Sequence, residues 1–586
     1  MWETPVKFRD CAAAVQQSTI LSPLPIWSQG LKSKNCTSQN ATSKNLHLSC
    51  PRVARRFVLL SPFTACPGLF YNTFAQDGIL CRIRTPGGIL NSQQFHLIAN
   101  MADDYGGGYV DITNRANLQI REIQREISTD DLHTLQTSGM AAVNPAIDHL
   151  RNIMTSPTAG IDPGELIDVR PLIQDWEQYI NNQPQLGELS AKFSVGFDGG
   201  GKVSIASFPN DISLTALDAI SLLVEGGRKE PKFFPTGKWG HKPIYPIFYF
   251  CATGKENFSP NFSLWLTPEQ CIPVLGSVAQ VYLEYTLLSK ECFAKRKPRL
   301  REVINNVGWQ CFLHKMLVLL HKNRLLDLEK IRDLEFQVSH APSPNLLPNH
   351  KFNPQKHDQV FHLGIHPQKQ SGMFYIGLVL PLGRLQTWQV RRLANMATQY
   401  GSGELRLTPW QNLLLTNIPQ QHLSWVTSEI HDLQLDYSPT NIKSGLVSCS
   451  GSSGCSSSAT DTKTHALILS EYLQTYINLD SHINIHFTGC PKSCAQHTES
   501  DITLLGVNIE QENQSVPAYQ VYIGNNIHRP IYENFPFAQL PQLMENIFKV
   551  YILNRLSPQE SFTEFANRYD ISQLKEFFTQ LSVECF

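Results

Sequence analysis

The run "TPGGILNSQQFHLIANMADDYGGGYVDITNRANLQI" (Thr85–Ile120) changes its hydrophobic rhythm twice. An apolar strand leads into a Gly-containing turn. Phe95, Ile98, Ala99 and Ala102 then recur at the spacing of one helical face. The glycines at 106–108 end that helix, and a second strand begins. From Ile112 the period drops to two. Ile112, Ala116, Leu118 and Ile120 alternate with Thr113, Arg115, Asn117, Gln119 and Arg121. The alternation predicts one strand with an apolar face and a polar face that carries two arginines.

The same rhythm returns in "LPLGRLQTWQVRRLANMATQYGSGELRLTPWQNLLL" (Leu380–Leu415), aligned without a gap at a constant offset of 295 residues. Both copies hold "ANMA", then Tyr105 or Tyr400, Gly106 or Gly401, and Gly108 or Gly403. Two such strand–helix–turn–strand units predict a pseudo-twofold α/β pair around a shared sheet or cleft. In the second copy Trp410, Asn412, Leu414 and Thr416 stand opposite Arg115, Asn117, Gln119 and Arg121. A solvated sheet face would account for the first copy alone. The loss of both guanidinium groups from the second points instead to a one-sided anion pocket.

Between the copies, residues 126–335 have their own strands and helices, with Arg151 and Lys192 as further cations beside turn-forming residues. Glycines at 199–201 allow close backbone approach to a ligand or an ordinary hairpin turn. Residues 336–365 are punctuated by Pro342, Pro344, Pro348 and Pro354 and read as a linker. Its histidines (His340, His350, His357 and His362, with His366 just beyond) lack metal-ligand spacing and read as loop residues. Residues 1–58 are basic, Ser-rich and acid-poor, the composition of either an organelle-targeting segment or a dispensable tail.

Composition narrows the field. A chain of 586 residues exceeds one core. With 49 basic against 50 acidic residues, nothing in the totals favours nucleic acid or membrane, so an anion site must be built locally. No uninterrupted apolar run reaches spanning length; the nearest, "MLVLL" (Met316–Leu320), is far too short. The expected location is the cytoplasm, with organelle targeting by the first 58 residues left open.

Fourteen cysteines in so long a chain are no disulfide framework, and most read as small buried apolar residues. Two pairs stand apart. Cys449 and Cys455 lie in "LVSCSGSSGCSSSA", and Cys490 and Cys494 in "HFTGCPKSCAQH". Four thiolates in two Gly-flanked pairs suit a cubane [4Fe-4S] cluster. Structural zinc is the main rival, although five residues between the first two thiols is a long interval for it. Chance burial is the third reading. A cluster moves single electrons, so it implies a second redox centre or substrate nearby. An arginine-lined pocket implies that this neighbour is polyanionic. Together they point to tetrapyrrole chemistry.

The doubled unit, the intervening domain and Cys-x5-Cys followed by "TGCPKSC" resemble the siroheme-dependent nitrite and sulfite reductase superfamily, from about Cys66 to the C-terminus. The resemblance implies two ferredoxin-like half-domains (59–125 and 366–430) in pseudo-twofold relation. It adds two larger α/β domains, 126–335 and the cluster-binding 431–586. It implies a [4Fe-4S] cluster on Cys449, Cys455, Cys490 and Cys494, with Cys494 bridging to siroheme iron. It places Arg115, Arg151 and Lys192 among catalytic and cofactor-binding cations, with Asn117 and Arg121 beside them. Within the superfamily, "ACPGLF", "DGILCRIRTPGG", "DITNRANLQIR", "SPTAGIDP", "AKFSVGFDGGG" and "LRLTPWQNLLL" resemble the precorrin-3B synthase branch. That likeness implies an oxidoreductase that hydroxylates precorrin-3A at C20 with O2 and closes a ring A lactone in aerobic cobalamin biosynthesis. Its second iron centre would be mononuclear iron or siroheme. Ser194 stands where sulfite reductases place a second Lys and nitrite reductases an Asn. "GIHPQKQSG" and "TGCPKSC" are equally similar to nitrite reductase, so a ferredoxin-dependent nitrite or sulfite reductase with siroheme is the alternative. A non-catalytic zinc- or tetrapyrrole-binding module is the third. The electron donor would be a ferredoxin or a reductase; no GxGxxG fingerprint supports direct dinucleotide docking.

Overall fold

The computed structural model describes residues 67–217, 247–251, 263–288, 296–339, 360–511, 513–524 and 530–580. The tail reading for 1–58, and His340, His350 and His357 of the linker, lie outside them. Residues Pro62–Phe586 form one compact unit. The fold is mixed α/β, with two ferredoxin-like half-domains and two larger α/β domains, built on four five-stranded sheets.

The two repeats do not share a sheet. Each has its own and lends one short strand to the other. The first sheet runs Thr73–Ala75, Gly78–Ile83, Leu118–Ile123, Tyr109–Ile112 and then Arg384–Gln386 from the second copy. The second runs Gly364–Pro367, Met373–Leu378, Leu413–Pro419, Glu404–Leu407 and then Ile89–Asn91 from the first copy. Gly88 and its counterpart Gly383 make the exchange possible. Both have positive φ (70° and 69°), and a Cβ on Gly88 would stand 2.7 Å from the Leu407 carbonyl oxygen.

Each lent strand runs straight into a helix, Ser92–Tyr105 or Thr387–Tyr400, started by a capping box on Asn91 or Gln386. The two helices pack against each other, with His96 bonded to Asn395 and Arg391 to Asn100 across them, and the alanines of the repeated "ANMA" are buried. One core joins both half-domains, from Phe95 and Ile98 to Leu393 and Leu415.

The single strand expected through Ile112–Arg121 is broken. Thr113 N–H donates to the Asn117 carbonyl at 2.9 Å and Ala116 has φ 52°, so residues 113–117 form a hairpin turn. The second copy repeats it, with Thr408 N–H on the Asn412 carbonyl and Gln411 at φ 62°. Arg115 and Asn117 therefore project from a turn, and only Gln119 and Arg121 share a strand.

The larger sheets have one topology. In each, three parallel strands are followed by two antiparallel ones: Ile153–Thr155, Val195–Asp198, Ile212–Leu217, Ile247–Cys251 and Ser263–Leu266 in one. The other has Leu446–Ser448, Ile485–Thr488, Ile502–Gln511, Gln514–Ile523 and Tyr532–Pro536. Each has its own core, around Trp176, Phe197 and Tyr282, or around Phe487, Tyr519 and Tyr551. The helix Pro268–Leu288, not "MLVLL", is the most membrane-like segment described. It is long and apolar enough to span, but 61% of its apolar window is buried inside the protein.

Candidate cluster site and anion cavity

Cys449 directly follows the strand Leu446–Ser448, and Cys490 lies two residues beyond Ile485–Thr488. These strands are parallel neighbours with Ser448 opposite Phe487, so both thiol pairs leave the sheet at the same carboxyl edge. All four cysteines are free. The Gly489 N–H donates to Cys449 Sγ at 3.3 Å. Thr462, at the start of helix Thr462–Tyr476, places its hydroxyl 3.4 Å from the same sulfur, so the positive end of the helix lies against the first thiol. Partial desolvation pushes the Cys494 thiol pKa up, and Cys490, Cys449 and Cys455 push it the same way; the four sulfurs lie in one another's field. Among the described residues, no three His, Cys, Asp or Glu side chains converge closely enough to hold a single metal ion. A cubane carries its irons at its corners and suits thiols facing each other across a gap. Four free thiols in two pairs at one sheet edge fit the cluster.

The Cys494 loop also walls a cavity of about 300 Å³. Arg115, Arg299, Arg301 and Lys492 bring positive charge to it, with His497 and Asn210 beside them and Asp211 as the one carboxylate. Burial raises the Asp211 pKa, against the pull of Arg299, which binds it at 2.8 and 3.0 Å, and of Arg115. Positive charge stays in excess, which suits a polyanion.

The structure sorts the expected pocket residues. Arg115 lines the cavity and donates from Nη1 to Asn210 Oδ1 at 2.8 Å. Lys192 is exposed just before the strand Val195–Asp198, outside the cavity lining. Asn117 is buried, accepts the Thr85 N–H at 2.9 Å and donates to Asn152 at 3.0 Å. Its counterpart Asn412 accepts the Leu380 N–H in the same way, so this asparagine holds the turn in both copies. Arg121 turns from the cavity to Asp77, at 2.7 and 2.9 Å, and to the Gly454 carbonyl. Arg151 is 3% exposed and bound to Glu177 at 2.7 Å, the Gly139 carbonyl at 2.6 Å and Asp148 at 3.5 Å. A buried guanidinium requires such partners, and Glu177, Asp148 and the Gly139 carbonyl supply them. Sequence reasoning missed Arg299, Arg301, Lys492 and His497. The basic run "KRKPRLR" (Lys295–Arg301) was the available signal for the first pair; the others sit inside the cysteine motif itself.

The nitrite/sulfite reductase ferredoxin-like half domain matches residues 75–127 and 366–433, and the nitrite and sulphite reductase 4Fe-4S domain matches 146–323. The ferredoxin–nitrite reductase of Synechococcus elongatus is 30% identical over 466 residues, covering 78% of this chain and 82% of that protein. The chain belongs to the nitrite/sulfite reductase family. The chloroplastic ferredoxin–nitrite reductase of Spinacia oleracea is 28% identical over 469 residues, 78% of this chain and 72% of its own. The NirA protein of Mycobacterium tuberculosis shares the fold, with a TM-score of 0.62 at 20% identity over 85% of this chain and 84% of that one. As a family member the chain is an oxidoreductase with a [4Fe-4S] cluster, and siroheme is its second iron centre. The same relatives overturn the precorrin-3B synthase reading, since they are ferredoxin–nitrite reductases. All the stretches that suggested that branch, "ACPGLF" excepted, lie inside the matched family segments. They mark the family, and much of their content is turn-holding: Asp162 of "SPTAGIDP" accepts the Gly164 and Lys202 N–H groups, each at 2.7 Å.

Proposed function

We propose that this chain reduces nitrite to ammonium with electrons from a ferredoxin. The cavity rich in arginine and lysine, walled by the Cys494 loop, carries this reading; the named activity of the relatives supports it. Siroheme, when bound, supplies the iron at which a small oxyanion takes up six electrons, delivered singly through the cluster. Arg115, Arg299 and Arg301 neutralise macrocycle carboxylates and attract the oxyanion, a task suited to fixed guanidinium forks. Lys192, exposed and outside the cavity lining, is given no part in the reaction. Ser194 adds little: its hydroxyl accepts the Asp211 N–H at 3.2 Å and its own N–H goes to Asp211 Oδ2 at 3.1 Å. Arg151 supports the fold beneath this site.

The test is purified holoprotein with reduced ferredoxin and either nitrite or sulfite, with products quantified. Ammonium from nitrite, together with chlorin-type absorption bands, is expected. Sulfide from sulfite without ammonium from nitrite would overturn the reading, as would the absence of any chlorin band.

A further inference from the structure

We propose that Asn114 and Arg121 are positioning residues for the cluster, through which one hairpin of the first half-domain holds both thiol loops by their backbone carbonyls. Asn114 Nδ2 donates to the carbonyl of Cys494 itself at 3.1 Å. Arg121 Nη2 donates to the carbonyl of Gly454, the residue before Cys455, at 2.8 Å. One donor thus acts on each thiol pair.

Arg121 is itself locked. Its Nε and Nη2 hold Asp77, and it is 4% exposed. The loop must come close to be held: a Cβ on Gly454 would stand 2.5 Å from Arg121 Nη2. Neither residue touches a sulfur. Each fixes the peptide that carries a ligand, and preorganising the ligand backbone slows opening of the site and sets the sulfur surroundings on which cluster potential depends. The matching positions of the second copy carry no equivalent donor to a cysteine loop. Pro409 and Thr416 occupy the matching positions; Pro409 has no side-chain donor, and the Thr416 hydroxyl donates to Glu404 at 3.3 Å.

The inference rests on the cluster assignment and not on nitrite as substrate, and its readout is iron, so failure of the substrate reading leaves it standing. Four holoprotein variants test it: Asn114→Ala, Asn114→Asp (same shape, no donor), Arg121→Lys and Pro409→Ala as the second-copy control. Iron release to a ferrous chelator is expected to rise about fivefold in both Asn114 variants, the Boltzmann factor of one neutral hydrogen bond. Their thermal midpoints should stay unchanged while the electron paramagnetic resonance signal of the reduced cluster shifts. Arg121→Lys should release iron faster still, and Pro409→Ala should behave as wild type. Wild-type release and spectra in both Asn114 variants would overturn the role of Asn114; a folded Arg121→Lys with wild-type release would overturn that of Arg121. If Arg121→Lys does not fold, Asp77→Asn replaces it, with faster release expected and wild-type release counting against the proposal. Equal effects from Pro409→Ala and Asn114→Ala would overturn the one-sidedness.

Discussion

Each half-domain grips a loop that leaves the first parallel strand of a larger sheet, but the two loops have become different things. Arg121 of the first copy donates to Gly454 in the loop after Leu446–Ser448, which carries the half-buried free thiols Cys449 and Cys455. Arg406 of the second copy donates to the Pro157 and Ala159 carbonyls, at 2.9 and 2.6 Å, in the loop after Ile153–Thr155. That loop closes on itself, with Asp162 occupied by backbone N–H groups of its own domain. The turns differ in the same sense. Arg115 faces the cavity, whereas its counterpart Trp410 stacks on His362, ring centroids 4.2 Å apart, and meets the edge of Phe208. The architecture is doubled throughout while the chemistry is installed once. A fold supplies matched positions, and individual side chains decide which of them becomes a site.

The largest effect expected from breaking this asymmetry comes from Cys494→Ser. It should abolish both cluster and nitrite reduction, because three thiolates rarely retain a cubane; iron and acid-labile sulfide assays check it, and full content would remove Cys494 from the ligand set. Next is Arg151→Ala, which leaves Glu177 without its cation and Asp148 with Arg84 alone, at 3.7 Å, and should cost about 3–5 kcal/mol of stability. Thermal or denaturant unfolding reads this, and a shift in nitrite KM without loss of stability would return Arg151 to the pocket. Arg115→Ala and Trp410→Ala form the sharpest pair. The first should weaken anion binding about 10–100-fold, the worth of a charged hydrogen bond, with little change in melting. The second should cost about 2 kcal/mol of stability, less than a fully buried tryptophan, with binding nearly intact; the reverse pattern would invert the assignment of the two copies.

The smallest effect concerns acid. Burial alone would raise the Asp111 pKa, but Lys463 and Arg384 outweigh it and hold it below the usual carboxylate range. A depressed carboxylate pKa adds stability above about pH 4 that is lost as pH falls through the folded value. Asp111→Asn should therefore lower stability at neutral pH and flatten the acid limb of the unfolding curve. An unchanged acid limb would show that this link between the lent strand and its host sheet carries no net stability.

Sequence reading reached the fold class and the thiol set more directly than the cavity. The helix faces of Phe95 and Leu393, the Gly turns and the two cysteine motifs are local patterns, readable because periodicity follows from backbone geometry. The hairpin at Thr113–Asn117 was hidden because its residues keep the parity of a strand while Ala116 takes a positive φ. The exchanged strands were hidden because three residues carry too little pattern to name their partner.

By itself the sequence determined the doubling, the buried helix face of each unit and the paired spacing of the four cysteines, since each rests on a pattern along one segment. Tertiary structure alone decided where the cations point. Arg115, Arg121 and Arg151 are equal as letters, but a guanidinium takes the nearest carboxylate or carbonyl in space. Those partners, Asp77, Glu177, Gly139 and Gly454, come from segments that only folding brings within reach.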